Sequence, residues 1–390
     1  MQLRTAYISA AVAGLAAVTV AVVLILGLGP SQTHRPLATL SSGPAPTSLG
    51  TSGPGSASAP ATLLPTLSAS TSPSVSASAS PGESASSVSA TPPVADTGSV
   101  LTPRQAAGAV AAYISGNNRA NARLDFALQD KHERDVVALV DDTYFRFART
   151  SGNVSIPSFT AVGLRVIVPR QAAYPATFLA ILKRSISAKA SDETLLWLFR
   201  RDSKSDSWRV SSAAAVPATV ALPVFAVDAD GYTPRLAERA MAVSPDRVRV
   251  AWLAADRAGA QHRAPSTAWA RSAFLTAVIS PSFADGAIDT RSSFAATHYA
   301  PTCLATAGGA LCLLSVALTD HLQEVPGRHW NVNDNSDSAY DGGIPVGHYA
   351  TLTLRNIEQV AVEVTGAPAN PTLRLVGRQT NTLSGTGVPR

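Results

Sequence analysis

Cys303 and Cys312, the two cysteines of the chain, flank Ala307-Gly308-Gly309, a sequence able to reverse two strands. A turn at Ala307-Gly308 sets the cysteines opposite each other, whereas one at Gly308-Gly309 offsets them by two. A disulfide needs Cα atoms about 5.5 Å apart, so the register decides the bond. Outside the cytoplasm the pair is expected to oxidise. A zinc site is not expected, because no CxxC spacing and no neighbouring histidine completes a ligand set. His321, His329, Asp334, Asp337 and Asp341 form the densest polar cluster, between Asp320 and His348. Asn331, Asn333, Asn335 and Asp337 place oxygens at alternate positions, as a calcium loop does. An EF-hand loop starting at Asn331 would need Gly at its sixth position and Glu at its twelfth, where Ser336 and Gly342 stand. A solvated, turn-rich loop is the expectation.

Asp125 with Tyr113 or Tyr144 has the residue types of isomerase chemistry, a carboxylate base and a phenol donor, if a fold brings them into one pocket. Asp228-Ala229-Asp230-Gly231 reads as a turn before a ligand set. The run Asp130-Lys131-His132-Glu133-Arg134-Asp135 has mixed charge at helical spacing, the pattern of a wet helix face. No GxSxG elbow, phosphate-binding glycine loop, HExxH pair or paired-cysteine metal motif occurs. No catalytic, cofactor-binding or metal-ligating residue is therefore assigned, and no cofactor is expected.

The elements that must position these residues begin with an uncharged stretch, Ala6 to Leu28, rich in Ala, Val, Leu and Ile. At 1.5 Å per residue it covers roughly the 30 Å of bilayer hydrocarbon. An uncleaved membrane anchor in residues 1–30 is expected, with the lipid bilayer as its partner; secretion after signal cleavage is the alternative. Arg4 on the short leading side orients the N-terminus to the cytoplasm and the bulk of the chain outward. Residues 31–100 contain no aromatic side chain and only Arg35, Glu83 and Asp96 as charged ones. Such a Ser/Ala/Pro/Thr-rich stretch cannot bury enough apolar surface to offset chain entropy, so a disordered linker is expected.

Beyond it, Thr102-Pro103-Arg104-Gln105 is a helix start, with Ala106, Val110, Tyr113 and Ile114 on one face and Gly116-Asn117-Asn118 as its stop. A second helical pattern carries Leu124, Leu128, Val136, Val137, Leu139 and Val140. Strands are expected over Ala161–Val168, Tyr174–Ser187, Thr194–Arg201 and Ser207–Ala215, with Asp202 to Asp206 as a hairpin loop between Trp197 and Trp208. Pro223 and Asp228 to Gly231 mark a boundary. Ser244-Pro245-Asp246 then caps a helix carrying Val248, Val250, Trp252 and Leu253, a second short helix covers Ala268–Ile279, and strands return over Ala287–Ala296, Pro301–Ala307, Ala310–Thr319, Tyr349–Val364 and Leu373–Arg378. Helices-then-strands occurs twice. The fold class is α+β, with two similar modules, 101–222 and 223–390, each packing helices on a curved antiparallel sheet.

The Thr102-Pro103 helix start, Asn117 to Asn121, the Trp197 and Trp208 hairpin, Gly231-Tyr232, Ser244-Pro245-Asp246, and Cys303 before a Gly-Gly hairpin together resemble a family of uncharacterised extracytoplasmic proteins of high-GC actinobacteria, over Leu101 to Arg390. Each half also resembles the cystatin-like or nuclear-transport-factor-like cone, in which helices cup a bent sheet; that fold hosts enzymes and inert adaptors alike. Lysine occurs only at Lys131, Lys183, Lys189 and Lys204, which agrees with a high-GC source. The net charge of +5 admits wall polymers or anionic headgroups as partners, while the scattered arginines disfavour nucleic acid. The expected function is a membrane-anchored, extracytoplasmic envelope protein with a non-catalytic binding or assembly module, whose partner is an envelope protein or wall polymer. An enzyme acting in a cone-shaped pocket and a structural spacer are the alternatives.

Overall fold

The computed structural model describes residues 98–151, 155–237, 241–279, 288–325, 331–332 and 347–389. The expected anchor at Ala6–Leu28 and nearly all of the linker lie outside them. Among the described residues no helix is long and apolar enough to cross a membrane.

Three helices open the chain: α1 (Pro103–Arg123), the short α2 (Phe126–Gln129) and α3 (Asp135–Ser151). At the start of α1 the Thr102 hydroxyl accepts from the Gln105 amide and the Gln105 side chain accepts from the Thr102 amide, a reciprocal cap. The expected stop at Gly116-Asn117-Asn118 does not end α1. Those residues are used for packing instead: a Cβ on Gly116 would fall 2.1 Å from the His132 ring, and Asn121 donates to Asn117 across one buried turn at 2.8 Å. Asn118 holds the backbone of Phe159 through both its amide atoms, at 2.8 and 3.1 Å. The helix ends only at Leu124, whose left-handed backbone (φ 49°) closes it.

The first sheet contains β1 (Thr160–Pro169), β2 (Ala176–Ile186), β3 (Lys189–Ala190), β4 (Thr194–Arg201), β5 (Arg209–Val216) and β6 (Tyr232–Thr233), in the order β5-β4-β2-β1-β6 with β3 on β2. All its pairs are antiparallel except the short β1–β6 contact. Helices α4 (Pro245–Ala260) and α5 (Ala273–Ile279) follow, then β7 (Ile288–Ala296), β8 (Thr302–Thr306), β9 (Gly309–Glu324), β10 (Asn331–Val332), β11 (Gly347–Ala367) and β12 (Asn370–Pro389) as a second, antiparallel sheet. Ser244 precedes α4 without the expected side-chain cap bond. The buried stripe of α4 is Val248, Trp252, Ala255 and Gly259, a 3.6-residue repeat that leaves Val250 exposed.

The described fold is thus α+β, with two antiparallel-rich sheets. Alternate residues along the strands explain how the layers stack. Phe178, Ala180 and Leu182 of β2 pack with Tyr113, Val136 and Phe145 of the helices, whereas Leu179 and Ile181 pack with Leu311, Leu313, Ala361 and Val376 of the second sheet. Ala310, Cys312, Leu314 and Val316 of β9 face away, onto Val248 and Trp252 of α4. The order of layers is helices, sheet, sheet, helices. Each sheet is covered on both faces, so the middle of β4, Leu195-Leu196-Trp197-Leu198-Phe199, is wholly buried and shows no apolar-polar alternation.

The sheets approach closely where β12 crosses β5: a Cβ on Gly377 would stand 2.8 Å from the Ala215 carbonyl oxygen. Gln359, on β11, reaches across and accepts the Ala213 amide of β5 at 2.8 Å. Two glycine substitutions therefore act in opposite directions. Gly377→Ala forces the sheets apart and lowers stability by about 1–3 kcal/mol. Gly108→Ala, in α1 with open space around its added methyl, raises it by roughly 0.5–1 kcal/mol. Urea midpoints of the two variants check both signs.

Candidate functional site

The cysteines face each other directly. Thr306 pairs with Gly309, so the turn is Ala307-Gly308, and Cys303 and Cys312 form a disulfide with a Cα separation of 4.0 Å. The sulfurs join β8 to β9, and no thiol remains for metal or nucleophilic chemistry. Of the polar cluster, His321 is placed on β9 because that strand runs on to Glu324; its Nδ1 lies 3.0 Å from the Thr353 hydroxyl of β11, on an exposed face. His329, Asp334, Asp337 and Asp341 lie outside the described residues. Among the described residues no three His, Cys, Asp or Glu side chains gather as a metal set.

Asp125, Tyr113 and Tyr144 are not brought into one pocket. The Asp125 carboxylate caps α2, accepting from the Leu128 amide at 3.2 Å. Tyr144 is buried edge-on to Phe145. The Asp228 to Gly231 segment is a turn closed by the Asp228 carboxylate: its Oδ1 accepts from the Asp230 and Tyr232 amides at 3.0 and 2.9 Å. Arg170 pairs with both carboxylates and covers the Tyr232 ring.

The Asp130 to Asp135 run departs most from expectation. Glu133 is fully buried instead of lying on a wet helix face. The backbone explains this: Val210 donates to the His132 carbonyl and Arg134 donates to the Val210 carbonyl, both at 2.9 Å, so residues 132–134 form a bridge along the outer edge of β5. That bridge points the Glu133 side chain into the layer between helices and sheet. There Tyr113 donates to Glu133 at 2.8 Å, and Gln129 donates to both Glu133 and, at 3.0 Å, Asp141 of α3. Burial first, then the adjacent Asp141, drives the Glu133 carboxyl well above the usual carboxylate range; burial likewise raises Asp141 to about 7. Burial and Glu133 together push the Tyr113 phenol up, keeping it a neutral donor. Each of the two buried carboxyls disfavours charge on the other, which favours a proton on at least one of them.

A second acidic set lies between α4, α5 and the second sheet. Glu358 pairs with Arg378 and accepts from Trp252 Nε1 at 3.2 Å. Asp256 of α4 is driven well above its ordinary value by burial and then by Glu358. Asp320 is raised by burial despite donors from Ser292 at 2.5 Å and Asn356 at 2.8 Å. Sequence reasoning missed both sets. Gln129, Glu133 and Asp141 do recur at multiples of four, a signal for a shared helical face; Asp256, Asp320, Glu358 and Arg378 share no local spacing at all.

Among the described residues, a cleft and a groove open to solvent. A cleft of about 250 Å³ is lined by Asp135, Arg200, Ser211, Ser212, His298 and Tyr299, among others. No hydrogen bond joins His298 to Asp135 or to a serine; Asp135 is bound by Arg134, and Ser315 by Thr297 at 2.9 Å. The lining does not form a nucleophile-base relay. A larger groove, about 560 Å³, runs between Arg165-Val166-Ile167 of β1 and the segment Leu222 to Val227.

Residues 97–387 match the family described as Domain of unknown function (DUF8094). The chain belongs to the DUF8094 family. No curated protein and no solved structure matches it. The DUF8094 region thus covers every element from α1 to nearly the end of β12, so both helix-sheet layers and both concavities are features of the family domain in this chain.

The acid pair gives a pH signature with a defined sign. Glu133 and Asp141 hold protons in the folded state that free carboxyls release above about pH 4. Folding therefore takes up protons, and stability falls as pH rises from about 4 through Asp141's value near 7. The loss from Asp141 alone is on the order of 4 kcal/mol. Asp141→Asn keeps an acceptor for Gln129 without the second charge, so it flattens the decline and is more stable than the parent at pH 8. Thermal unfolding of both proteins between pH 5 and 8 measures it.

Proposed function

We propose that this chain is a membrane-anchored, extracytoplasmic binding module of an actinobacterial envelope, in which two cone-like α+β halves of the cystatin or nuclear-transport-factor type stack sheet to sheet and hold out one peptide-docking edge. The observation that carries this reading is the unpaired edge of β1 beside the apolar groove. Residues 132–134 and Gln359 cover the opposite edge of the first sheet, at β5. On β1 only Val168 and Pro169 are covered, by β6; Thr160 to Val166 have no neighbour among the described residues on that side. Exposed strand edges are normally blocked, and one left open next to apolar side chains is a template for strand addition.

The chemistry of the edge selects the occupant. Val224, at 72%, and Val227 are exposed along the groove, and Val162 and Leu164 are exposed farther back on the same edge strand. Arg165 lines it, exposed and without an ion pair among the described residues. The occupant is an extended apolar segment of an envelope protein carrying an acidic residue. A second copy of the chain fits less well: β1 is bulged between Val162 and Arg165, with Gly163 at φ 65°, and two bulged strands cannot pair along their length. The side-chain-filled helix layers support binding over catalysis. The anchor and linker supply reach beyond the bilayer.

The test uses fluorescent six-residue peptides of alternating valine and threonine on the full-length chain in detergent micelles. A peptide with one aspartate is expected to bind at micromolar concentration. Peptides with lysine in place of aspartate, or with a central proline, bind at least tenfold more weakly, and Val224→Asp with Val227→Asp abolishes binding. Equal binding of all three peptides, or none, overturns the reading. In intact envelopes, a photo-crosslinker at Val224 that labels lipid or glycan while sparing protein overturns the proposed occupant.

A further inference from the structure

Arg184 is 3% exposed, yet its side chain makes no hydrogen bond and no ion pair with any described residue. Its Nε and Nη1 are shielded from solvent without an acceptor. By the alternation of β2 it follows Phe178, Ala180 and Leu182 on the face turned to the helices, one step beyond Leu182 toward the strand's end. The guanidinium lies over the Phe159 ring, 5.4 Å from its centre, and Asn118 fixes the Phe159 backbone. Within the same layer Asn117, on the buried stripe of α1 one turn beyond Tyr113, has a second orphan donor in its Nδ2. The acid pair does not neutralise Arg184, since Glu133 is engaged by Tyr113 and Gln129. Glu193, half-buried just before β4, acts on it only through space.

A buried arginine cannot shed its charge as a carboxyl can; it must find an anion or be held at a cost of several kcal/mol. We propose that Arg184 anchors an oxyanion-binding site at the end of the first helix–sheet layer, taking the carboxylate or phosphate group of a small ligand. The planar guanidinium fork matches both groups bidentately, and the Phe159 ring covers its face while leaving its edge donors free. Burial draws the Arg184 guanidinium down to about 9, opposed by Tyr113 and Glu193, in keeping with a cation short of a counter-ion. The site is independent of the β1 groove.

The test is thermal unfolding of the full-length chain in detergent micelles with sodium phosphate or sodium acetate, against sodium chloride at matched ionic strength. One or both oxyanions are expected to raise the melting temperature saturably, by about 2–4 °C. A gain with acetate alone assigns a carboxylate ligand, and one with phosphate alone a phosphate ligand. Arg184→Met loses the gain and, without added anion, melts no lower than the parent, because an unpaired charge has been removed. Arg184→Lys, which keeps the charge but loses the fork, retains under half of the gain. No saturable gain in the parent, or an undiminished gain in Arg184→Met, overturns the proposal; the parent titration decides even if a variant fails to fold.

Discussion

Leu179, Ile181, Leu196 and Leu198 of one sheet meet Leu311, Leu313, Ala361 and Val376 of the other, and this contact decides how everything else is arranged. A sheet can bury one face on its own helices and leave the other in water. Here the second face is also apolar on both sheets, so neither could be solvated without exposing a continuous hydrophobic surface. Burying such surface is worth roughly 25 cal/mol per Å², and stacking the sheets recovers it for both at once. The helices are thereby confined to the two outer layers.

Sealing both faces of each sheet makes the outer layers expensive places for charge. The chain nevertheless puts Glu133 with Asp141 into one and Asp256 with Glu358 into the other. The two sets are stabilised differently. Burial pushes both Glu133 and Asp141 toward the protonated form, and they accept from Tyr113 and Gln129, so the set sheds charge instead of pairing it. Glu358 is held by Arg378, whose own burial would lower its affinity for a proton but is outweighed by Glu358 and Asp256. Carboxyls can lose charge in this way, while Arg184 has no equivalent exit. That asymmetry makes the arginine the more informative buried group.

Much of the scaffold was legible from local pattern. The capped start of α1, the four long strands of the first sheet, the Trp197 and Trp208 hairpin and the turn at Asp228 to Gly231 follow from capping chemistry, β-branched runs and turn residues, all of which act over a few positions. Where expectation and structure part, a distant residue intervenes. Gly116 did not stop α1 because it makes room for His132. His321 lies on a strand because β11 continues to pair β9 past Thr319. Glu133 left the wet face because its neighbours' backbone is bonded to Val210.

The sequence alone determined most of the helical and extended segments, that the charged surface is sparse, and that two cysteines flank one turn, because these depend on chemistry within a few residues along the chain. It could not say which of two registers joins the cysteines, that both faces of each strand are covered, or that a guanidinium and two acid pairs lie in the interior. Those outcomes depend on which surface lies opposite each face. A period of two or of 3.6 residues records that a face is apolar, and only the packed layers reveal what it meets.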